Sequence, residues 1–223
     1  MSGGWILLDL DGPLLDVLPR YHRLHSDLVL RHGGRPLDPE AYWDAKRKRG
    51  PEPQILAKSG LDPGAIREVL GERARWIESW RYLQLDRTWP WTEAVLTDLS
   101  RRAPLVLVTA RRHRRRLLRQ LGELGLRGHF HRIVSGPGDE TAEAKARLLR
   151  DSRLPIPPGS VLVGDTEVDL ASGRALGLRT AALTCGIRCA ALLTPWNPDA
   201  LLADLRDVPG WLASLPSRRR MSR

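Results

Sequence analysis

Residues 5–12 read Trp-Ile-Leu-Leu-Asp-Leu-Asp-Gly (WILLDLDG). A short aliphatic run broken by aspartate has no room for a helix and reads as a strand over 5–10, buried on both faces and ending at Asp9. The same pattern recurs downstream: PLVLVTA at 104–110, SVLVG at 160–164, and a weaker run, RTAAL, at 179–183. Between these runs the apolar spacing turns helical, over 91–102, 112–124, 140–151 and 167–176. Buried strands alternating with helices predict an α/β fold: a parallel sheet with helices on both faces. Such a sheet binds ligands at the carboxyl ends of its strands.

Spacing then exposes an insert. A strand, its crossover helix and the next strand need only about 30 residues. Here roughly 95 separate Asp9 from the end of the second strand. The surplus, 17–88, holds helical patterns at 19–31, 39–47 and 64–83, with Pro and Gly punctuation at 33–36, 50–53 and 60–64. The expected organisation is a core of residues 1–16 and 89–216, a small helical cap at 17–88, and a basic tail at 217–223. Trp76, Trp80 and Leu83 fall on one face of the last cap helix by spacing. That stripe suits either the cap's own small core or a wall over substrate. A final amphipathic element is expected from 201 to about 215.

Composition bounds the class. The 223 residues, 42% hydrophobic, suffice for a buried core. No apolar run approaches the roughly 20 residues that span a bilayer, and the stretch 5–8 is too short for a signal peptide. Two cysteines, Cys185 and Cys189, make no disulfide framework, so a soluble cytoplasmic protein, monomeric or homodimeric, is expected. The net charge is +10, which suits polyanions. Lysine, however, occurs only at 46, 48, 58 and 145, and arginine supplies the rest along the whole chain. That uniform bias argues for a generally basic surface over a dedicated nucleic-acid face, although RRHRRR at 111–116 keeps a nucleic-acid-binding reading in play.

Four polar elements sit at or near the predicted strand ends. The first is Asp9-Leu10-Asp11-Gly12, followed by Asp16. Carboxylates two apart at a strand end can face one crevice. An ionised aspartate can attack phosphorus without a base to activate it, and a second can protonate the leaving oxygen and then deprotonate water. Gly12 lets the chain turn away with positive φ. Thr109, ending LVLVT, can donate to a phosphoryl oxygen or merely close the strand. Lys145, one of four lysines, is a compact charge for a phosphate or an ordinary helix-surface residue. Asp165, in Gly-Asp-Thr-Glu-Val-Asp at 164–169, suits a hard cation such as Mg2+ together with Asp9 and a backbone carbonyl. It also suits a helix N-cap, and the two readings are compatible.

In order and spacing DLDG, Thr109, Lys145 and GDTEVD resemble the four motifs of the haloacid dehalogenase-like superfamily, over residues 5–215. GDTEVDLASGRALGLRT at 164–180 is especially similar to its phosphoglycolate phosphatase-like branch. The resemblance implies a Rossmann-like core with a helical cap inserted after the first strand. It implies Asp9 as nucleophile, Asp11 as general acid/base, and Thr109 and Lys145 on the phosphoryl group. Gly12 and Ala110 join these around the substrate, and Arg111 either reaches a second anionic group of the substrate or merely starts the next helix. Asp9, the Asp11 carbonyl and Asp165 would hold Mg2+, and Asp169 matches a supporting acid or additional ligand. Two departures stand out: Pro13 replaces the family's usual threonine, and Arg111 follows Ala110 where a small or amide residue is common. Retention of Asp11 points away from dehalogenation and toward hydrolysis of a small phosphorylated metabolite, with a phosphosugar mutase as the alternative. On the cap, Arg20, His22 and KRKRG at 46–50 are candidate recognition residues, or else a solvated basic face.

Overall fold

A computed structural model of the protein describes residues 3–136 and 141–216. The expected basic tail at 217–223, and Glu140 at the start of the helix expected over 140–151, lie outside the described residues. Strand β1 (Ile6–Leu8) leads into β2 (Leu15–Asp16), and five helices follow: α1 (Leu18–Arg31), α2 (Pro39–Arg47), α3 (Glu52–Lys58), α4 (Pro63–Trp76) and α5 (Trp80–Leu83). The chain returns through β3 (Arg87–Thr88) to α6 (Thr92–Arg102), β4 (Leu105–Thr109), α7 (Arg114–Glu123), β5 (Arg132–Ser135) and α8 (Ala142–Asp151). It closes with β6 (Val161–Gly164), α9 (Glu167–Ala175), β7 (Arg179–Leu183), α10 (Ala190–Leu193), β8 (Ala200–Leu202) and α11 (Val208–Ser214).

Six strands form one parallel sheet in the order β5-β4-β1-β6-β7-β8. Side chains alternate across it with period two. Ile6, Leu8, Leu105, Leu107, Val161 and Val163 pack on one face against α6, α7 and α11. Leu7, Val106, Val108 and Leu162 pack on the other with Leu149 of α8, while Ala182 meets Leu170 of α9 and Leu193 of α10. The helices between β2 and β3 carry a core of their own, centred on Leu24, Leu28, Leu56, Val69 and Tyr82. The fold is therefore an α/β sheet flanked by helices, with a helical cap inserted after the first strand. The chain crosses to the cap and back through the two-stranded antiparallel ribbon β2-β3.

Several expectations change. The helix expected over 64–83 is two helices, broken at 77–79. Trp76 therefore shares no face with Trp80 and Leu83: Trp76 is 42% exposed, Leu83 is buried, and the Trp80 ring stacks under the Arg119 guanidinium. The break has a cause in the core. Glu78 turns out of the helical path and accepts the backbone N–H groups of Arg112 and His113, which lead into α7. The punctuation at 50–53 opens a helix, α3, with Pro51 as its cap residue. Strands β5 and β8, at the two sheet edges, stand where the sequence showed no run long enough to read as one. The final segment is an edge strand and a short helix.

Two sets of contacts close the cap onto the core. Arg47, at the end of α2, donates to the carbonyls of Thr184, Cys185 and Gly186. On the other side Arg116 donates to the Glu78 carbonyl and Arg112 to that of Ala74. Within the basic run 111–116, Arg111, Arg112, Arg114 and Arg116 thus all have partners inside the protein.

Candidate active site

Because β1, β4 and β6 run parallel and side by side, the residues that end them emerge at one edge of the sheet. Asp9 follows β1, Thr109 closes β4 and Asp165 follows β6. Lys145 enters from α8 with its ammonium 2.6 Å from Asp9 Oδ1 and bonded also to Asp169 Oδ1. Burial alone would lower the lysine, but Asp169 and Asp9 outweigh it and keep Lys145 charged.

Asp169 holds this corner in place. Its Oδ2 accepts from the Thr166 hydroxyl at 2.7 Å and from the Thr166 and Asp165 N–H groups. Thr166 returns the bond as a capping box at the start of α9. Asp165 is fully buried. Its Oδ2 accepts from the Ile187 N–H, while Oδ1 has no hydrogen-bond partner. The backbone crowds it closely. A Cβ at Gly12 or at Gly186 would come within 2.0 Å of Asp165 Oδ2, and Gly12 has φ +105°. Only glycine fits Gly12 on both counts.

The donor set suits a hard divalent cation. One oxygen from each of Asp9, Asp165 and Asp169 lie within 4.8 Å of one another. Three carboxylates face one ammonium, so negative charge is left over. It shows in the acids themselves. Burial, reinforced by Asp169, raises Asp9 to about 7 despite Lys145. Burial together with Asp9 and Asp169 holds Asp165 well above the usual carboxylate range. Both oxygens of Asp169 are already engaged, which leaves Asp9 and Asp165 as the better ligands.

Asp11 has a different environment. Arg111 grips both its oxygens, through Nε at 2.9 Å and Nη2 at 2.6 Å, and Arg20 of the cap adds a bond at 2.8 Å. Burial would raise this carboxyl, but the two guanidiniums overcome it and hold it below the ordinary range. Asp86, next to β3, bridges the same arginines at 3.0 Å each and accepts from Gln120 Nε2 at 2.8 Å. Asp86 and Gln120 escaped sequence reading because their partners lie more than 20 residues away along the chain. The one available signal was an acid beside the point where the cap returns to the core.

Asp9, Asp11 and Lys145 line a cavity of about 480 Å3 between core and cap. Thr109, Ala110 and Arg111 line it with them. Gly12 lies beneath the aspartates, its carbonyl taken by Trp89 Nε1 at 2.8 Å. Asp16 accepts from the Leu18 N–H at the start of α1. Of the cap candidates, Arg20 serves Asp11, His22 bonds the Leu37 carbonyl within the cap, and Lys46 faces the cavity. Glu52 and Arg73, which the sequence did not single out, line its cap wall.

Comparison with known proteins shows the family of the chain. The sequence profile described as haloacid dehalogenase-like hydrolase matches residues 5–177. A phosphoglycolate phosphatase of Rhodobacter capsulatus is 21% identical over 188 residues, covering 82% of this chain and 85% of that protein. A phosphoglycolate phosphatase of Pseudomonas syringae pv. tomato is 27% identical over 219 residues, 93% of this chain and 79% of its relative. Among solved structures, a haloacid dehalogenase-like family hydrolase from Streptococcus pneumoniae superposes with a TM-score of 0.74 at 21% identity, covering 93% of this chain and 97% of that one.

Proposed function

The chain belongs to the haloacid dehalogenase-like hydrolase family, and we propose that it hydrolyses a small phosphate monoester, of the phosphoglycolate or sugar-phosphate kind, with Mg2+ as cofactor. The observation that carries this reading is Asp9 at the cavity floor, with the Lys145 ammonium on one oxygen and the orphaned Asp165 oxygen close by. A carboxylate so placed is a nucleophile with its counter-charges supplied. The activities of the phosphoglycolate phosphatases among its relatives support the same reaction class.

In the first half-reaction an Asp9 oxygen bonds to phosphorus, the bond from phosphorus to the leaving oxygen breaks, and Asp11 gives that oxygen a proton. In the second, water attacks the phosphorus of the aspartyl-phosphate and passes a proton to Asp11. The bond to Asp9 breaks, and phosphate leaves. Lys145 stays charged beside the attacked phosphoryl group, and the Thr109 hydroxyl, at the cavity wall, donates to one of its oxygens. Asp9 and Asp165, with the Asp11 carbonyl and Asp169 in support, would hold the Mg2+, which offsets the charge of acids and phosphate alike. The grip of Arg20 and Arg111 keeps Asp11 ionised but makes it a weak base, so that taking a proton from water also requires that grip to loosen. Giving a proton in the first half requires Asp11 to leave that grip.

The test is phosphate release from p-nitrophenyl phosphate. Wild type with Mg2+ should turn over, EDTA should abolish activity, and Asp9→Asn should lose at least about a thousandfold in kcat. Wild type inactive with every divalent metal would overturn the reading.

A further inference from the structure

The cavity is built unlike a receptor for a small diacid. At about 480 Å3 it falls among cavities that enclose whole drug-sized ligands, far more room than a two-carbon ester of phosphate fills. Its charges are also already matched. Among the described residues, every guanidinium and ammonium lining the cavity is ion-paired with a carboxylate. A second carboxylate on a substrate would have to compete for each of these cations.

The cap wall shows what the remaining space suits. Glu52, at the start of α3, takes the Lys46 ammonium on Oε2 at 2.8 Å and faces Arg73 Nε from Oε1 at 3.7 Å. Burial works to raise this acid, but Arg73 and Lys46 prevail and keep it an acceptor. Beside it, α4 turns Leu70, Arg73 and Ala74 to the cavity, a spacing of three and four that places them on one helical face, and Ile77, just past the end of that helix, lines it too. Acceptors and donors alternate with apolar patches, which is the pattern of a sugar, whose hydroxyls alternate with C–H surface.

We propose that the leaving group is polyhydroxylated, so that the substrate is a sugar phosphate and not a phosphorylated carboxylic acid. Glu52 is the specificity-determining residue, accepting from sugar hydroxyls while Lys46 and Arg73 hold it in place. This rests on the phosphatase reading above and names its substrate class.

The experiment compares kcat/KM for a panel of pentose and hexose phosphates, for phosphoglycolate and for p-nitrophenyl phosphate, in wild type and in Glu52→Gln. Wild type should prefer its best sugar phosphate over phosphoglycolate by at least about 100-fold, because a site built for hydroxyls discriminates strongly. Glu52→Gln should raise KM for that sugar phosphate about tenfold, with little change in kcat. It should also narrow the gap to phosphoglycolate, since Lys46 and Arg73 lose their shared carboxylate. Phosphoglycolate matching or surpassing every sugar phosphate in wild type overturns the proposal, as does a KM for sugar phosphate that Glu52→Gln leaves in place. Failure on p-nitrophenyl phosphate as well, with every divalent metal, would instead overturn the phosphatase reading itself.

Discussion

Asp11 and Asp9 are two residues apart, yet their surroundings push them in opposite directions. Burial, with other acids beside it, raises Asp9, whereas at Asp11 two guanidiniums overcome burial and lower it. The arginines are themselves buried, and Asp86 is what makes them tolerable there: two positive charges face two negative ones. Removing one member of a buried ion network leaves an uncompensated charge. Asp86→Asn is therefore expected to lower the free energy of unfolding by about 3 kcal/mol in urea melts. A variant within about 0.5 kcal/mol of wild type would show that Asp86 does not balance this network. Arg111 was legible only as a cation of open purpose. Its choice of Asp11 depends on a contact across 100 residues of chain.

Elements differed in how far they could be read beforehand. The central strands β1, β4 and β6 are buried on both faces, which demands continuous aliphatic runs, and such runs are visible without any partner. Edge strands carry no such demand. In β5 only Val134 is buried, and Leu201 of β8 is 42% exposed, so neither has a run long enough to recognise. The break after α4 was hidden for another reason: apolar spacing runs through 77–79, and only the distant N-terminus of α7 draws Glu78 out. The start of α9 is a local device: the cap expected at Asp165 falls one residue later, on Thr166, whose hydroxyl accepts from the Asp169 N–H, while Asp165 stands in the acid cluster. Thr166→Ala removes a bond that caps α9 and positions Asp169. A loss of about 1 kcal/mol in stability is expected by chemical denaturation. An unchanged unfolding midpoint would mean that the capping box adds nothing.

For the whole molecule, the acid cluster sets how stability responds to pH. A carboxyl that is raised on folding binds its proton more tightly in the native state. Its stabilising contribution is complete below the unfolded value of 3.8 and is lost as pH rises through the folded value. For Asp9 that loss runs up to about 7, and Asp165 shifts in the same direction. Asp11, lowered by its arginines, stabilises above 3.8 and changes nothing further on the way to neutrality. In EDTA the Tm should therefore fall between roughly pH 5 and pH 8. Mg2+ is expected to bind the ionised acids, and so to raise Tm more at the higher pH. Thermal melts at both pH values test this, and an equal or larger Mg2+ shift at the acidic one would contradict it.

The sequence by itself determined the frame: which runs become central strands, that a helical insert follows the first, and that Asp9, Thr109 and Asp165 stand at strand ends. Burial of short aliphatic segments and the spacing between them are properties of the local chain, so they can be read without a partner. Only the tertiary structure decided what those ends meet. It turned Arg20 inward to Asp11, joined Asp86 to both arginines, and set Glu52 between Lys46 and Arg73 on the cap wall. Charges far apart along the chain choose partners by distance and burial once the sheet and cap have closed, and no local pattern encodes that choice.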